Sequence, residues 1–393
     1  MAVTHGQPDV INSAAWSAAP RAAYLHVPFC RHHCGYCNFS VVAGRDHLID
    51  RYLNAIEREI SQIESPVVVD TLYFGGGTPS RLEPDQLQRL ITSLLTRIQL
   101  SPVCEFTMEA NPSDVTSEWV ALARSCGVTR LSLGAQSFRL EKLKALERDH
   151  DEQTICAAVE ATQTVGLQVS LDLIFATSGE SLSDWLEDLR KAVQLEPDHL
   201  SAYELTFEKG TQFWNRQARG ELVSPDEDSR LAQYEATIEF LTSAGWTHYE
   251  VSSFARNGAL CRHNCVYWSG RPYLAFGPGA SRFVDGRRQT NHGSTLKYLQ
   301  LIESNSSPVV FDERLEPTAL AREILAIGLR RIQGVVESEF QAVTGFDFES
   351  AAGKQIQRLV KLGMLFLDGR MLGLSKAGLM VYDTLAAEIA TGK

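Results

Sequence analysis

Short hydrophobic runs alternate with longer amphipathic segments between residue 24 and about residue 206. Six runs are rich in β-branched and aromatic residues, and a helical pattern, or a turn leading to one, follows each. They span residues 23–27, 71–74, 105–109, 130–133, 168–175 and 200–205. This alternation is typical of parallel strands joined by helices, so it predicts an α/β fold built on a partial (β/α)6 barrel. Ligand sites in such folds lie at the carboxyl ends of the strands.

The pattern changes beyond residue 210. It predicts a helix over 225–244, a strand over 247–253 and then a region rich in glycine and aromatic residues over 262–283. An amphipathic helix over 320–332 and a helix–hairpin–helix rhythm from 356 follow, as in a small winged-helix-like module. We therefore predict a loose tail (1–20), a barrel (21–224), a middle region (225–315) and a C-terminal module (316–393).

Composition narrows the class of protein. A chain of 393 residues exceeds the usual length of one domain, and 44% hydrophobic with 22% charged residues is typical of a folded globular protein. The net charge of −11 gives no overall reason to bind nucleic acid. The longest uncharged stretches, at 10–20 and 161–171, are too short for a membrane span. With no basic, apolar leader at the N-terminus, we expect a cytoplasmic protein without a transmembrane segment.

Three cysteines follow the first predicted strand at C-x3-C-x2-C spacing: Cys30, Cys34 and Cys37. Eight cysteines in so long a chain are too few for a disulfide scaffold, and thiolates are the usual ligands of iron–sulfur clusters. A four-iron cluster held by three thiolates keeps one iron open. The alternatives are a zinc site completed by His32 or His33, or three unrelated thiols.

Further motifs stand at the ends of the next three strands, as the fold requires of a binding site. They are Gly75-Gly-Gly-Thr-Pro-Ser80, Glu109-Ala-Asn-Pro112 and Leu133-Gly-Ala-Gln-Ser-Phe138. With the cysteine loop and the preceding Tyr24-Leu-His-Val-Pro-Phe, the barrel resembles the radical SAM superfamily. Within it, the chain resembles the oxygen-independent coproporphyrinogen III oxidase group, and the HemW heme chaperones fit best.

The resemblance implies a set of cofactor contacts. Cys30, Cys34 and Cys37 would hold a [4Fe–4S] cluster, whose open iron is chelated by S-adenosylmethionine (SAM). The residues that match SAM-contacting positions are Tyr24, Tyr36, Gly76, Gly77, Thr78, Glu109, Gln136, Arg148 and Asp172. Glycines let the backbone approach a ligand closely, and an Arg fork suits a carboxylate. Taken singly, each of these residues is equally compatible with a structural or solvated role.

Two features separate the chaperones from the oxidases of this group. Phe39 stands where the oxidases carry a further cysteine, and only 29 residues precede Cys30, whereas the oxidases have a longer N-terminal region. The chain also contains the H-N-x-x-Y-W signature of the chaperones, which places heme-binding residues at His263, Asn264, Tyr267 and Trp268.

The chemistry of this signature suits heme, because imidazole is a common axial ligand and aromatic rings cover porphyrin faces. A buried structural histidine packed among core aromatics is the alternative. Cys261 and Cys265 flank His263 and are expected to be small buried side chains, with heme ligation or redox pairing as alternatives.

The sequence thus predicts a heme chaperone that binds heme, a [4Fe–4S] cluster and SAM, and delivers heme to a heme-accepting protein such as a respiratory one. The recipient would bring the chaperone to the membrane periphery, and a homodimer is compatible with the sequence. The alternative is a radical SAM enzyme such as an oxygen-independent coproporphyrinogen III oxidase. A third hypothesis is a cluster that only stabilises a loop. The electron donor is not indicated.

Overall fold

The computed structural model describes residues 18–392, so most of the predicted loose tail lies outside the described residues. The strands are β1 (Ala22–Val27), β2 (Phe29–Cys30), β3 (Val42–Ala43), β4 (Val67–Gly76), β5 (Ile98–Ala110), β6 (Arg130–Gln136), β7 (Gln168–Phe175), β8 (His199–Glu204), β9 (Thr247–Glu250), β10 (Ser253–Ala255), β11 (Leu274–Phe276), β12 (Ser281–Val284), β13 (Arg287–Asn291), β14 (Val309–Arg314), β15 (Val335–Val336), β16 (Leu365–Asp368) and β17 (Met371–Leu374). The helices are α1 (Ile49–Ser61), α2 (Pro84–Leu95), α3 (Ser117–Ser125), α4 (Leu140–Ala145), α5 (Glu152–Thr164), α6 (Leu182–Gln194), α7 (Gln212–Ala218), α8 (Glu227–Ser243), α9 (Arg262–Trp268), α10 (Thr295–Glu303), α11 (Pro317–Gly328), α12 (Glu337–Thr344), α13 (Phe348–Lys361), α14 (Lys376–Met380) and α15 (Tyr382–Thr391).

The main sheet contains all six predicted strands, so the partial (β/α)6 barrel is confirmed. β1, β4, β5, β6, β7 and β8 are neighbours in that order, and each pair is parallel. β4 and β5 begin several residues before the predicted runs, and their pairing shifts register between Val69 and Thr71. The irregularity separates an N-terminal extension of both strands from the part that belongs to the barrel.

Strands from the predicted middle region extend the same sheet at both edges. β11 pairs in parallel with β1, with Leu25 opposite Phe276, while β10 pairs antiparallel with β8 and carries β9 beyond it. The predicted strand over 247–253 is thus a β9–β10 hairpin. A division of the chain at residue 224 stays a prediction, since the residues that follow complete the sheet of the barrel.

Helices cover the outside of the sheet and build one continuous core with it. α1, α2, α5 and α6 bury an apolar stripe against the strands, and Trp185 of α6 is fully enclosed. α6 begins with a capping box in which Ser181 and Asp184 satisfy each other's backbone N–H groups. The capping box sets where α6 begins, and its apolar stripe sets which face packs on the sheet. Together they fix the position of this helix.

The C-terminal module has a core of its own. The small sheet β15–β17–β16 packs with α11, α12, α13 and α15 around side chains such as Leu325, Phe340 and Ile356. The predicted helix–hairpin–helix rhythm is present, whereas α11 starts at Pro317 and ends before the predicted residue 332. Within residues 18–392 no helix combines the length and the apolar character needed to cross a bilayer.

Candidate functional site

The interior of the barrel is lined by polar side chains at alternate strand positions. Successive residues of a strand point to opposite faces, so every second residue faces inward. These inward residues, with the cysteine loop, enclose a cavity of about 470 Å³, here called the barrel cavity. The inward strand residues with polar side chains include Tyr73, Thr107, Glu109, Arg130, Ser132, Ser170, Asp172, His199, Ser201 and Tyr203. A polar interior of this size suits a polar small molecule.

The three cysteines of the loop all line the barrel cavity and are half-buried. β2 fixes the first of them: Cys30 pairs with Ala43 of β3, and its sulfur lies 3.5 Å from the Thr78 hydroxyl. A tight turn joins the other two, with the Cys37 N–H donating to the Cys34 carbonyl at 3.0 Å. The thiols are therefore presented together at the carboxyl end of β1.

Glu147 holds this loop from the opposite side. One carboxylate oxygen accepts the Gly35 N–H at 2.7 Å and lies 3.2 Å from His32 Nε2. The backbone of Glu147 has φ +56, a conformation that non-glycine residues rarely adopt. Phe213 closes the loop from below, because its N–H donates to the Gly35 carbonyl at 2.8 Å and its ring leaves no room for a side chain there. Strain at Glu147 is consistent with a functional loop.

The glycine-rich turn after β4 lies against the start of the loop. A Cβ on Gly76 would lie 2.3 Å from the His26 ring, and one on Gly77 would lie 2.7–2.8 Å from the backbone of residues 27–29. The Gly77 and Thr78 N–H groups donate to the carbonyls of Val27 and Phe29, each at 2.8 Å. The glycines are therefore required for close packing of two backbone segments, in addition to the predicted approach to a ligand.

Two carboxyl groups face the cavity from neighbouring walls. Glu109 accepts hydrogen bonds from the Tyr73 hydroxyl and the Gly76 N–H, both at 2.9 Å. Burial, with the nearby charge of Asp172, raises the pKa of Glu109 to about 7. Burial also raises the pKa of Asp172, against a hydrogen bond from the Ser132 hydroxyl at 2.9 Å. Such raised values are typical of sites where a ligand completes the environment.

Gln136 and Arg148 each have an unsatisfied polar atom. Gln136 is buried, adopts φ +59, and its carboxamide oxygen has no hydrogen-bond partner. Arg148 donates to the Gly134 carbonyl at 3.1 Å and lies 3.6 Å from the Cys34 sulfur, while its Nε is buried without a partner. Buried polar atoms normally have partners, so these two call for a polar ligand in the cavity. The residues present therefore fit SAM.

The zinc alternative finds no support in the geometry of the loop. His33 Nε2 lies 3.1 Å from the Cys37 carbonyl, and His32 is turned to Glu147. Among residues 18–392, no three His, Cys, Asp or Glu side chains converge as ligands of a single ion do.

The two predicted tyrosines lie in different places. Tyr36 lines the barrel cavity, and its ring meets Phe213 edge-on with the centroids 6.0 Å apart. Tyr24 is opposite Tyr73 in the β1–β4 pair and faces the same side of the sheet, but it lines a different cavity, and its hydroxyl is 3.1 Å from His26 Nδ1. Its ring stacks on Tyr73 at 6.1 Å, so Tyr24 is separated from the barrel cavity by that side chain. The structure thus brings together the predicted SAM contacts other than Tyr24.

His263 is enclosed at the amino end of the barrel, in helix α9. Its Nδ1 lies 2.9 Å from the Thr71 hydroxyl and its Nε2 lies 2.7 Å from the Tyr267 hydroxyl. Its ring also stacks on Tyr73 at 5.2 Å, and burial lowers its pKa to about 3. Both ring nitrogens are thus engaged, and His263 lines neither of the two cavities described here.

The rest of the H-N-x-x-Y-W segment faces two different cavities. Asn264 lines the barrel cavity, as does the buried Cys261, whereas Cys265 lines neither cavity. Tyr267 and Trp268 face a second cavity of about 730 Å³, here called the α11 cavity, which lies between α9, α11 and the end of the cysteine loop. α9 is therefore a wall between the two cavities, and the four predicted heme residues do not converge on one point.

Several residues of the site escaped the sequence analysis. Tyr73, Ser132 and Tyr203 face the barrel cavity, and Glu147 supports the cysteine loop. The strand residues had a usable signal, since polar side chains recur at every second position of runs that are otherwise apolar. Glu147 had none, because its partner Gly35 is 112 positions away.

Comparisons with known proteins agree with this geometry. Residues 24–192 match the Radical SAM superfamily, and residues 315–381 match the HemN C-terminal domain. The heme chaperone HemW of Lactococcus lactis is 34% identical over 91% of this chain and 94% of its own length. HemW of Mycobacterium tuberculosis is 35% identical over 93% of this chain and 94% of its own length. The mitochondrial radical S-adenosyl methionine domain-containing protein 1 of Mus musculus is 34% identical over 97% and 89%.

A solved structure shares the whole architecture. Coproporphyrinogen III oxidase (HemN) from Escherichia coli superposes with a TM-score of 0.83, covering 96% of this chain and 92% of that one. Its sequence identity is 22%, so the likeness supports the fold alone. The barrel, the strands that extend it and the C-terminal module therefore have the same fold as that structure.

Proposed function

The chain belongs to the HemW family of heme chaperones in the radical SAM superfamily, and from this premise we propose that it binds heme and delivers it to a recipient hemoprotein. The observation that carries the proposal is the position of α9. Its Tyr267 and Trp268 face the α11 cavity, which is separate from the cavity of the cluster cysteines. A volume of about 730 Å³ lies within the ~300–1,000 Å³ of small-molecule sites.

A [4Fe–4S] cluster and SAM are the resident cofactors in this proposal. The three loop thiols would hold the cluster, which when reduced supplies an electron to SAM bound at its open iron. The turn after β4 would offer backbone groups to the methionine part of SAM. Gln136 and Arg148 would gain partners for their unsatisfied atoms, and Glu109 and Asp172 would accept from hydroxyl or ammonium groups.

Carriage of heme is favoured over porphyrinogen oxidation by the residue that follows the cluster loop. Phe39 takes the place of the further cysteine expected in the oxidases, and its side chain is 62% exposed on the rim shared by the two cavities. An exposed aromatic ring adds apolar contact for a ligand and no thiol chemistry. The complete SAM set favours one second candidate, a radical SAM enzyme that acts on an organic substrate in the barrel cavity.

The partner in this proposal is a heme-accepting protein. A respiratory recipient would bring the chaperone to the membrane periphery, and a homodimer and an external electron donor complete the predicted set of associations. These are proposals from the family and the sequence. The structural feature that supports a protein partner is the α11 cavity, because it lies outside the barrel and is accessible to a partner.

One experiment tests the function and the cofactors together. The full chain is reconstituted anaerobically with iron and sulfide, and heme binding, heme transfer to an apo-acceptor and decarboxylation of coproporphyrinogen are measured on the same sample. We expect one cluster and one heme per chain, transfer, and no decarboxylation. Cys30→Ala should abolish the cluster, whereas the matched control Cys126→Ala, at the end of α3, should retain it. Decarboxylation with SAM and a reductant, or absence of heme binding, would overturn the chaperone assignment.

A further inference from the structure

We propose that the heme of this chaperone lies in the α11 cavity, in a slot between aromatic side chains of the α9 region and the aliphatic face of α11, with a carboxylate bound by Arg271. The inference rests on the proposed function and names its site. It also reassigns His263 from iron ligand to a positioning residue behind one wall of the slot.

One wall of the slot is aromatic. Tyr267, Trp268 and Tyr273 line it, and the Tyr267 and Tyr273 rings meet edge-on with centroids 4.6 Å apart. Trp268 is held by the guanidinium of Arg330, which stacks on its ring at 4.6 Å, and its Nε1 has no hydrogen-bond partner. Aromatic rings supply large flat contact area, which suits the face of a tetrapyrrole.

A second part of the lining is aliphatic. α11 contributes Leu320, Ile324 and Ile327, whose spacing of four and three residues places them on one helical face. Gly270 lies under Ile324, where a Cβ would come within 2.6 Å of the isoleucine side chain. Two apolar walls of this kind fit a flat, largely apolar ring and offer little to a polar metabolite.

The charge of the cavity matches a carboxylate-bearing ligand. Its charged side chains are Arg271, Arg288 and Glu323, so it carries one net positive charge in a chain whose net charge is −11. Arg288 is paired with Glu323 and stacks on Phe283. Arg271 is exposed and forms no ion pair with any residue between 18 and 392. An unpaired guanidinium at the edge of an apolar slot is suited to a propionate.

The barrel cavity is a poor site for the same ligand. Six acidic side chains and three arginines line it, so the carboxylates of heme would meet an excess of negative charge there. Its volume of about 470 Å³ is also smaller. The two cavities share Asn38 and Phe39 on their rims, so heme in the α11 cavity would lie next to the end of the cluster loop.

His263 supports the aromatic wall from behind. Its Nε2 fixes the Tyr267 hydroxyl at 2.7 Å, while Thr71 and Tyr73 of the barrel fix the imidazole. An iron bond from His263 would require both the loss of the Tyr267 contact and movement of a buried ring. The iron of heme in the slot would instead meet groups that line the cavity.

The test is a heme titration of the reconstituted full chain, followed by absorption and by quenching of tryptophan fluorescence. Arg271→Glu should weaken heme binding about 10- to 100-fold, the effect of losing a charge-assisted hydrogen bond. Arg45→Glu, an equal charge change at an exposed arginine outside both cavities, should leave the affinity within about twofold. Ile327→Trp fills the slot and should weaken binding at least about tenfold. Circular dichroism and iron content confirm that each variant is folded.

His263→Gln separates positioning from ligation. Its amide can still bond Tyr267, so heme bound to this variant should keep the absorption maximum of the wild type at moderately reduced affinity. A displaced maximum would identify His263 as the ligand and overturn the reassignment. If the wild type binds heme and both Arg271→Glu and Ile327→Trp bind it with the same affinity, heme lies elsewhere. This result would overturn the proposed site but not the proposed function. Absence of heme binding by the wild type would instead remove the proposed function.

Discussion

Gly77→Ala tests whether the turn after β4 sets the position of the cluster loop. Gly77 has no positive φ, so alanine is allowed by the backbone and the obstacle is steric. Its Cβ would lie 2.7 Å from the Pro28 carbonyl carbon and 2.8 Å from the carbonyl oxygens of Val27 and Phe29. Non-bonded carbon atoms prefer about 3.5–4.0 Å, so the two backbone segments must separate by most of an ångström.

The magnitude follows from what this separation breaks. Overpacking of a tight site costs about 1–3 kcal/mol. The same movement lengthens the hydrogen bonds from the Gly77 and Thr78 N–H groups, each 2.8 Å long, and withdraws the Thr78 hydroxyl from the Cys30 sulfur. We expect the apparent melting temperature of the apoprotein to fall by about 1–4 °C. Cluster content after reconstitution should fall more sharply, because Cys30 moves with the displaced segment.

The assay compares thermal unfolding and bound iron in Gly77→Ala and in Gly293→Ala. The control also adds one methyl group to a glycine without positive φ, but there the new Cβ would meet only the Ser40 hydroxyl, at 3.0 Å. A hydroxyl can rotate away, whereas backbone cannot. If Gly77→Ala had the same melting temperature as the control and kept a full cluster, the idea that the turn positions the cluster loop by steric contact would be refuted.

Three further predictions concern buried carboxyl groups. The pKa of Glu109 is about 7, so this carboxyl group is protonated below that pH and stops accepting hydrogen bonds from SAM. The affinity for SAM, measured by calorimetry, should fall about tenfold from pH 8 to pH 6. Glu109→Gln should remove most of this pH dependence. The stability of the unliganded protein should change with pH in the opposite direction. Because the pKa of Glu109 is raised in the folded state, the free energy of unfolding should decrease as pH rises through about 7, and thermal unfolding across pH 5–8 would detect this decrease. Glu59 accepts from a buried backbone N–H, an amide and a phenol at 2.6–2.9 Å, so Glu59→Ala should destabilise the fold by about 3–5 kcal/mol. A change below about 1 kcal/mol in denaturant unfolding would contradict the role given to this carboxylate.

The barrel and its cofactor end could be predicted from sequence because their signals are local. Each predicted strand is a short hydrophobic run, and each motif follows the end of a run, where parallel strands bring residues together. The cysteines, the glycine turn, Glu109 and Gln136 meet at one cavity for that reason. Tyr24 does not join them because the ring of Tyr73, its neighbour on β4, lies between it and the cavity.

The second cavity had no local signal. It is assembled from β1, the end of the cysteine loop, α9, β12, β13 and α11, which are separated by up to about 300 positions. His263 and Tyr267 are four residues apart in α9, so they lie on one helical face and contact each other. The H-N-x-x-Y-W spacing did not predict that Thr71 engages the second ring nitrogen, since that contact spans 192 positions. Long-range contacts decided which residues of the motif are available to a ligand.

The pairing of β11 with β1 has a consequence for how the protein is made. β1 precedes the other strands of the main sheet along the chain, yet its outer edge is covered only when Leu274–Phe276 is synthesised about 250 residues later. At a synthesis rate of ~5–20 residues per second, that edge stays open for roughly 12–50 s. An open strand edge is a template for pairing with other chains. During this period the nascent chain can either fold or aggregate. A factor that shields the edge of β1 would favour folding, whereas slow synthesis of the second half of the chain would favour aggregation.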